Sequence, residues 1–246
     1  MLIYSPYFSV TNVGYFSQGT KWASMGSMLI NGMVNGVAQP VFVEVKDDKD
    51  RIVQVFRKLL RFIALVSFPL MCGLAFVGDE FIGMINIEWL PSVPILQMYC
   101  LSGAIAPIQV LYSQLLVSQG RSDFYFWCTI AYALVQISAA AFALRYGVYW
   151  MAFSNMSLSF IYLLAWHLFV SSLLPIKLLH VCRDVLPYII IVALCFVVAW
   201  LVLQPVVNVY YRFFGKVIIS ATVYIFAMWK LDSVVFKESL RFLIKR

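Results

Sequence analysis

A chain of 246 residues is long enough for one or two soluble domains. Its composition excludes them. Apolar residues make up 63% and charged ones 12%, against about 45–50% and about 25% in ordinary globular domains, and the apolar residues come in long runs. The net charge of +7 therefore reads as basic residues gathered at membrane surfaces, not as a nucleic-acid footprint. Cys72, Cys100, Cys128, Cys182 and Cys195 are scattered, four of them inside apolar runs, and imply no disulfide framework.

A hydrocarbon core of about 30 Å takes about 20 helical residues. In chain order the runs predict spans over 22–43, 59–77, 93–118, 124–144, 147–170, 185–203 and 214–230. Helices are expected because an open strand edge leaves its backbone unsatisfied in lipid. The fold class expected is an all-α membrane protein with about seven transmembrane helices. Residues 1–21 are expected as an extracytoplasmic loop or short helix, and Pro6 and the absence of early basic residues argue against a signal peptide. Pro69 and Pro107 fall inside spans, where neighbouring helices can cover the carbonyls they free. Residues 46–61 mix charges and then turn amphipathic, which fits an interfacial helix with Arg57, Lys58 and Arg61 at headgroup level. The tail, 231–246, sets Phe236, Leu240 and Leu243 against Lys237, Arg241 and Lys245, a basic amphipathic surface helix.

Counting Lys and Arg orients the chain. Fourteen basic residues lie in the loops after the first, third and fifth spans and in the tail, and four (Lys21, Arg145, Arg212, Lys216) lie opposite. That bias predicts a cytoplasmic C-terminus and, with seven spans, an external N-terminus.

The polar residues inside the spans are mostly neutral. Ser24, Ser27, Asn31, Asn35 and Gln39 recur at steps of three and four and form one helical stripe. Two readings fit: an interhelical seam glued by amides, or the wall of a wet cavity that hydrogen-bonds sugar hydroxyls. Gln97, Gln109, Gln114, Gln136 and Asn155 are candidates to extend the wall. Gly32 and Gly36 form a small-xxx-small pair that predicts close helix approach. His167, deep in an apolar run, fits hydrogen-bonded packing better than proton transfer. No carboxylate lies near mid-span, where a proton or sodium relay would need one. No metal-ligand spacing, phosphate-binding glycine loop or nucleophile elbow is present, so neither an enzyme nor a cofactor is expected.

Four short motifs then carry a resemblance. They are Gly14-Tyr15-Phe16-Ser17-Gln18-Gly19; Gln39-Pro40 closing a span ahead of Asp50-Arg51, Phe56 and Lys58; Ile85, Trp89, Pro91 and Ser92; and Gly120-Arg121-Ser122-Asp123. In order and spacing they resemble the bacterial polysaccharide and O-antigen flippases of the multidrug/oligosaccharidyl-lipid/polysaccharide exporter superfamily, over roughly residues 10–125.

The resemblance implies a multi-pass transporter of the bacterial cytoplasmic membrane. It would move undecaprenyl-pyrophosphate-linked oligosaccharide outward for O-antigen, capsule or related polysaccharide assembly. It implies the C-terminal portion of such a protein: five helices of the second lobe over 22–184 and an extra helix pair over 185–230, with the missing first lobe or other polysaccharide-assembly proteins as partners beside the lipids. On this reading Asn31, Asn35 and Gln39 meet sugar hydroxyls, and Arg61 and Arg121 meet headgroup or pyrophosphate. Competing readings are a membrane glycosyltransferase or polymerase working through Asp79, Glu80 and Glu88, a multidrug antiporter lobe, and an inactive fragment.

Overall fold

A computed structural model of the chain describes residues 9–143 and 145–230. The first eight residues and the expected basic tail over 231–246 lie outside the described part. Within it the chain is helical, with eight α-helices and no strand: α1 (Val10–Glu44), α2 (Lys49–Phe76), α3 (Gly78–Ile85), α4 (Val93–Ser118), α5 (Ser122–Ala143), α6 (Val148–Leu173), α7 (Leu178–Leu203) and α8 (Val209–Lys230). A 3-10 turn over Ile87–Ser92 joins α3 to α4.

Six of these elements are long and apolar enough to cross a membrane, so this is a multi-pass membrane protein. Of the seven expected spans, α1 is the one that falls outside this set. At 35 residues α1 exceeds what about 30 Å of hydrocarbon requires, but its serines, amides and glycines keep it out of that set. It also begins at Val10, twelve residues before the expected first span, with Ser9 as N-cap accepting from the Asn12 amide. The amphipathic lead into the second span is likewise no separate helix. Asp48 caps the amides of Asp50 and Arg51 and starts α2 at Lys49, and the helix runs unbroken through Pro69.

Helix α4 is the hub, packing against α1, α2 and α6. The reason is compositional: Leu96, Cys100, Ala104, Ile108, Leu111 and Leu115 are buried at steps of three and four. Helix α2 offers a matching stripe in Ile52, Phe56, Leu60 and Ile63. Each fully buried apolar side chain of this size contributes about 1.5–3 kcal/mol relative to exposure to water. In lipid, close packing carries more of that role than solvent exclusion.

The carbonyl freed by Pro69 is covered as expected. Pro69 removes the donor for the Leu65 carbonyl four residues earlier, and Tyr224 of α8 donates its hydroxyl to that oxygen at 2.8 Å. Near Pro107, Ser67 of α2 donates to the Ala104 carbonyl at 2.7 Å. Close approach, in contrast, is not where the sequence placed it. A Cβ on Gly32 or Gly36 would meet nothing within 4 Å, whereas one on Gly19 would lie 2.9 Å from the Ile95 side chain and the Ser92 carbonyl. Gly32 and Gly36 face outward; Gly19 is the residue that lets α1 meet the start of α4. Gly19→Ala is therefore expected to cost about 1–3 kcal/mol, read as a lower melting temperature in detergent. Gly32→Ala should be neutral or stabilising by under about 1 kcal/mol.

Helices α7 and α8 pack on each other and on α2. Between the three lies an apolar cavity of about 440 Å³, walled by Pro69, Gly73, Phe196 and Tyr224 among others. Charge clusters close the assembly at its two ends. Near the starts of α2 and α7, Asp184 is 7% exposed and accepts from Arg57 (Nε 2.6 Å, Nη2 3.0 Å) and from Arg61 Nε (2.9 Å). At the other end Glu80 of α3, 3% exposed, takes Lys216 at 2.8 and 2.9 Å. Arg212 Nε lies 2.8 Å from the same carboxylate as an ion pair without hydrogen-bond alignment.

Candidate functional site

The polar stripe of α1 follows from its spacing, and the structure gives its members different work. Ser24 turns its hydroxyl back to the Thr20 carbonyl (2.6 Å). Asn31 donates through Nδ2 to Ser27 Oγ at 3.2 Å, and its Oδ1 is buried with no donor. One turn on, Asn35 Oδ1 accepts from Gln114 Nε2 of α4 at 2.7 Å. Gln39 is exposed at the end of the stripe. Asn35 is thus glue between α1 and α4, as the seam reading has it, while Asn31 keeps an acceptor without a donor; neither they nor Gln39 line the two cavities described next.

Beside the stripe lies a cavity of about 260 Å³ between α1, α4 and α6, lined by Ser24, Ser27, Ser102 and Ser159 with Tyr99. A second, of about 330 Å³, opens between α4, α5 and α6 and carries Gln136, Ser154 and Asn155. Tyr99 lines both. Their polar linings offer hydroxyls and amides and no formal charge. Such a surface donates to and accepts from a neutral polyol.

Other expected members of the wall are committed elsewhere. Gln97 donates to the Ala75 carbonyl of α2 (3.3 Å), and Gln109 to the Ser159 carbonyl of α6 (2.8 Å). The two arginines are not brought to the amides. Arg61 gives its Nε to Asp184, and Arg121 sits exposed after Gly120 (φ 73°) with its guanidinium 5.4 Å from the Phe124 ring centroid. Neither lines the two cavities. His167 is buried packing: its Nδ1 lies 2.9 Å from the Tyr112 hydroxyl. Among the described residues no group of three His, Cys, Asp or Glu side chains could hold a metal ion.

The charge clusters at Glu80 and Asp184 escaped sequence reasoning, though one signal was present. In each, opposite charges on distant segments fall at the same membrane level, so that neither has to be buried alone.

Residues 1–94 match the family described as polysaccharide biosynthesis protein. The chain is 29% identical over 128 residues to the teichuronic acid biosynthesis protein TuaB of Bacillus subtilis, covering 52% of this chain and 26% of that protein. It is 29% identical over 114 residues to the lipopolysaccharide biosynthesis protein WzxC of Escherichia coli, covering 46% and 23%. The chain is similar to bacterial polysaccharide-biosynthesis proteins. The fold agrees: the lipid II flippase MurJ, solved in an inward closed conformation, superposes with a TM-score of 0.67 at 17% identity over 97% of this chain and 51% of that one. The chain spans about a quarter of the length of the curated relatives named here and about half of the solved structure.

Proposed function

We propose that the chain is one lobe, with an added helix pair, of a transporter that carries an undecaprenyl-pyrophosphate-linked oligosaccharide across the bacterial cytoplasmic membrane. Its N-terminus faces outward and its C-terminus the cytoplasm. The observation that carries this reading is the pair of uncharged cavities that meet at Tyr99 of α4, one edged by serine hydroxyls and the other by Gln136, Ser154 and Asn155. A glycan headgroup loses its hydration when it enters about 30 Å of hydrocarbon, and each unsatisfied hydroxyl costs about 2–7 kcal/mol. A wall of Ser, Asn and Gln replaces those water contacts without fixing a charge that would hold the cargo. Beyond the lining of these cavities the α1 stripe continues, and there we assign Asn31 Oδ1, which has no partner, to accept from a sugar hydroxyl, with Asn35 and Gln39 extending the contact toward the end of α1. Passage needs a facing wall, which a second lobe provides.

The charge pattern supports transport over glycosyl transfer. Glu80, the most buried of the acidic residues an enzyme reading would use, is neutralised by Lys216 and Arg212 and braces the fold. In a strain whose glycan export depends on this chain, Asn31→Leu with Asn35→Leu should lower export by about thirtyfold, two lost hydrogen bonds at about 1 kcal/mol each, with protein level unchanged. Undiminished export would overturn the assignment of these amides to the passage.

A further inference from the structure

The end of the bundle where α2 and α7 begin holds a pocket of about 550 Å³, away from the amide-lined cavities and formed by different helices. Arg57 and Arg61 from α2 line it, with His180, Arg183 and Asp184 from the first turns of α7. Three arginines there face a single carboxylate. Asp184 is already satisfied, and it engages only part of the cationic surface: Arg61 uses Nε alone, and Arg183 is exposed and makes no ion pair among the described residues. Asp184 thus orders two guanidinium groups and leaves the cluster with an excess of positive charge. The rest of the wall is apolar, with Pro187, Tyr188, Ile191 and Met228 leading from the arginines along α7 and α8.

Cations held at a helix start beside an apolar wall suit one kind of ligand. Arginine forks match the paired oxygens of phosphate, and the apolar strip receives a chain attached to it. The position fits as well. Helix α2 has 28 residues, about 42 Å at 1.5 Å per residue, so its first turns stand at headgroup level when its remainder fills the core. We propose that this pocket is a phosphate site, occupied by the headgroup of an anionic phospholipid or by a free phosphate. The assignment does not rest on the α1 stripe, none of whose residues takes part; of the residues that the resemblance gives to a headgroup, it uses Arg61 and adds Arg57 and Arg183.

The full chain, purified in detergent, would be offered phosphatidylglycerol, phosphatidylcholine or inorganic phosphate, with retained lipid read by native mass spectrometry. Phosphatidylglycerol should be retained over phosphatidylcholine. Arg183→Gln should weaken that retention about fivefold, since one basic residue near an anionic lipid contributes about 1 kcal/mol. Arg61→Gln with Arg183→Gln should weaken it about twentyfold or more, and Arg183→Lys should keep most of it. Retention that persists in millimolar inorganic phosphate assigns the site to the lipid headgroup; displacement by phosphate assigns it to the free anion. Equal retention of the two lipids would overturn the proposal. So would unchanged retention by Arg183→Gln, a variant that breaks no ion pair among the described residues and so tests the site even if the double variant unfolds.

Discussion

Glu80→Ala is expected to cost the protein about 3–5 kcal/mol, because it leaves the enclosed Lys216 without its counter-charge, and the 40% exposed Arg212 without its partner. Lys216 has 10% of its side chain exposed and is held by both oxygens of Glu80, by the Phe76 carbonyl at 3.4 Å and over the Phe76 ring at 4.6 Å. Removing the carboxylate leaves that ammonium a single weak acceptor. The check is thermal unfolding of the purified chain in one detergent, Glu80→Ala against parent. Lys216→Met should cost much less, since Glu80 keeps Arg212 and the new side chain fits the apolar wall. Adding Lys216→Met to Glu80→Ala should recover part of the loss. If the single and double variants melt together, the pairing is not what holds α8 to α3.

Asp184→Ala comes second, at about 2–3 kcal/mol, the lower part of the range for truncating one member of a hydrogen-bonded charge set. The discount reflects solvent: Arg57 and Arg61 are 30% and 37% exposed, so water and headgroups recover part of what the carboxylate supplied. The effect should be local to the join between α2 and α7. A cysteine pair placed across that join should cross-link less completely in Asp184→Ala, while one across α4 and α6 reacts as in the parent. Equal cross-linking at both joins would show that Asp184 does not hold the helix pair.

The spans were legible wherever hydropathy alone decides the outcome. The helix read as 93–118 is α4 residue for residue, since its apolar run is bounded by Pro-Ser on one side and Gly-Arg on the other. Boundaries slipped where a polar segment continues a helix, as at Val10 and Lys49, because capping by Ser9 and Asp48 requires no apolar residues. At the candidate site the three-and-four spacing placed Ser27, Asn31 and Asn35 on one face, and the geometry agrees. Which residues pair across helices was out of reach. Gln109 and Gln136 look alike in sequence, yet one is spent on the Ser159 carbonyl and the other lines a cavity. The difference is a rotation about α4 and α5 that only packing decides. The glycines teach the same lesson: Gly32 and Gly36 have the right spacing for an interface, but the partner met Gly19 instead.

The greasy void bounded by Pro69, Phe196 and Tyr224 has a charged latch above it and another below. Sliding α7 and α8 by one helical turn, about 5.4 Å, would tear both latches at once, whereas bowing at mid-depth strains neither. Any movement of α2 therefore carries these two helices with it as passengers, and the compliance of this flank is confined to its waist.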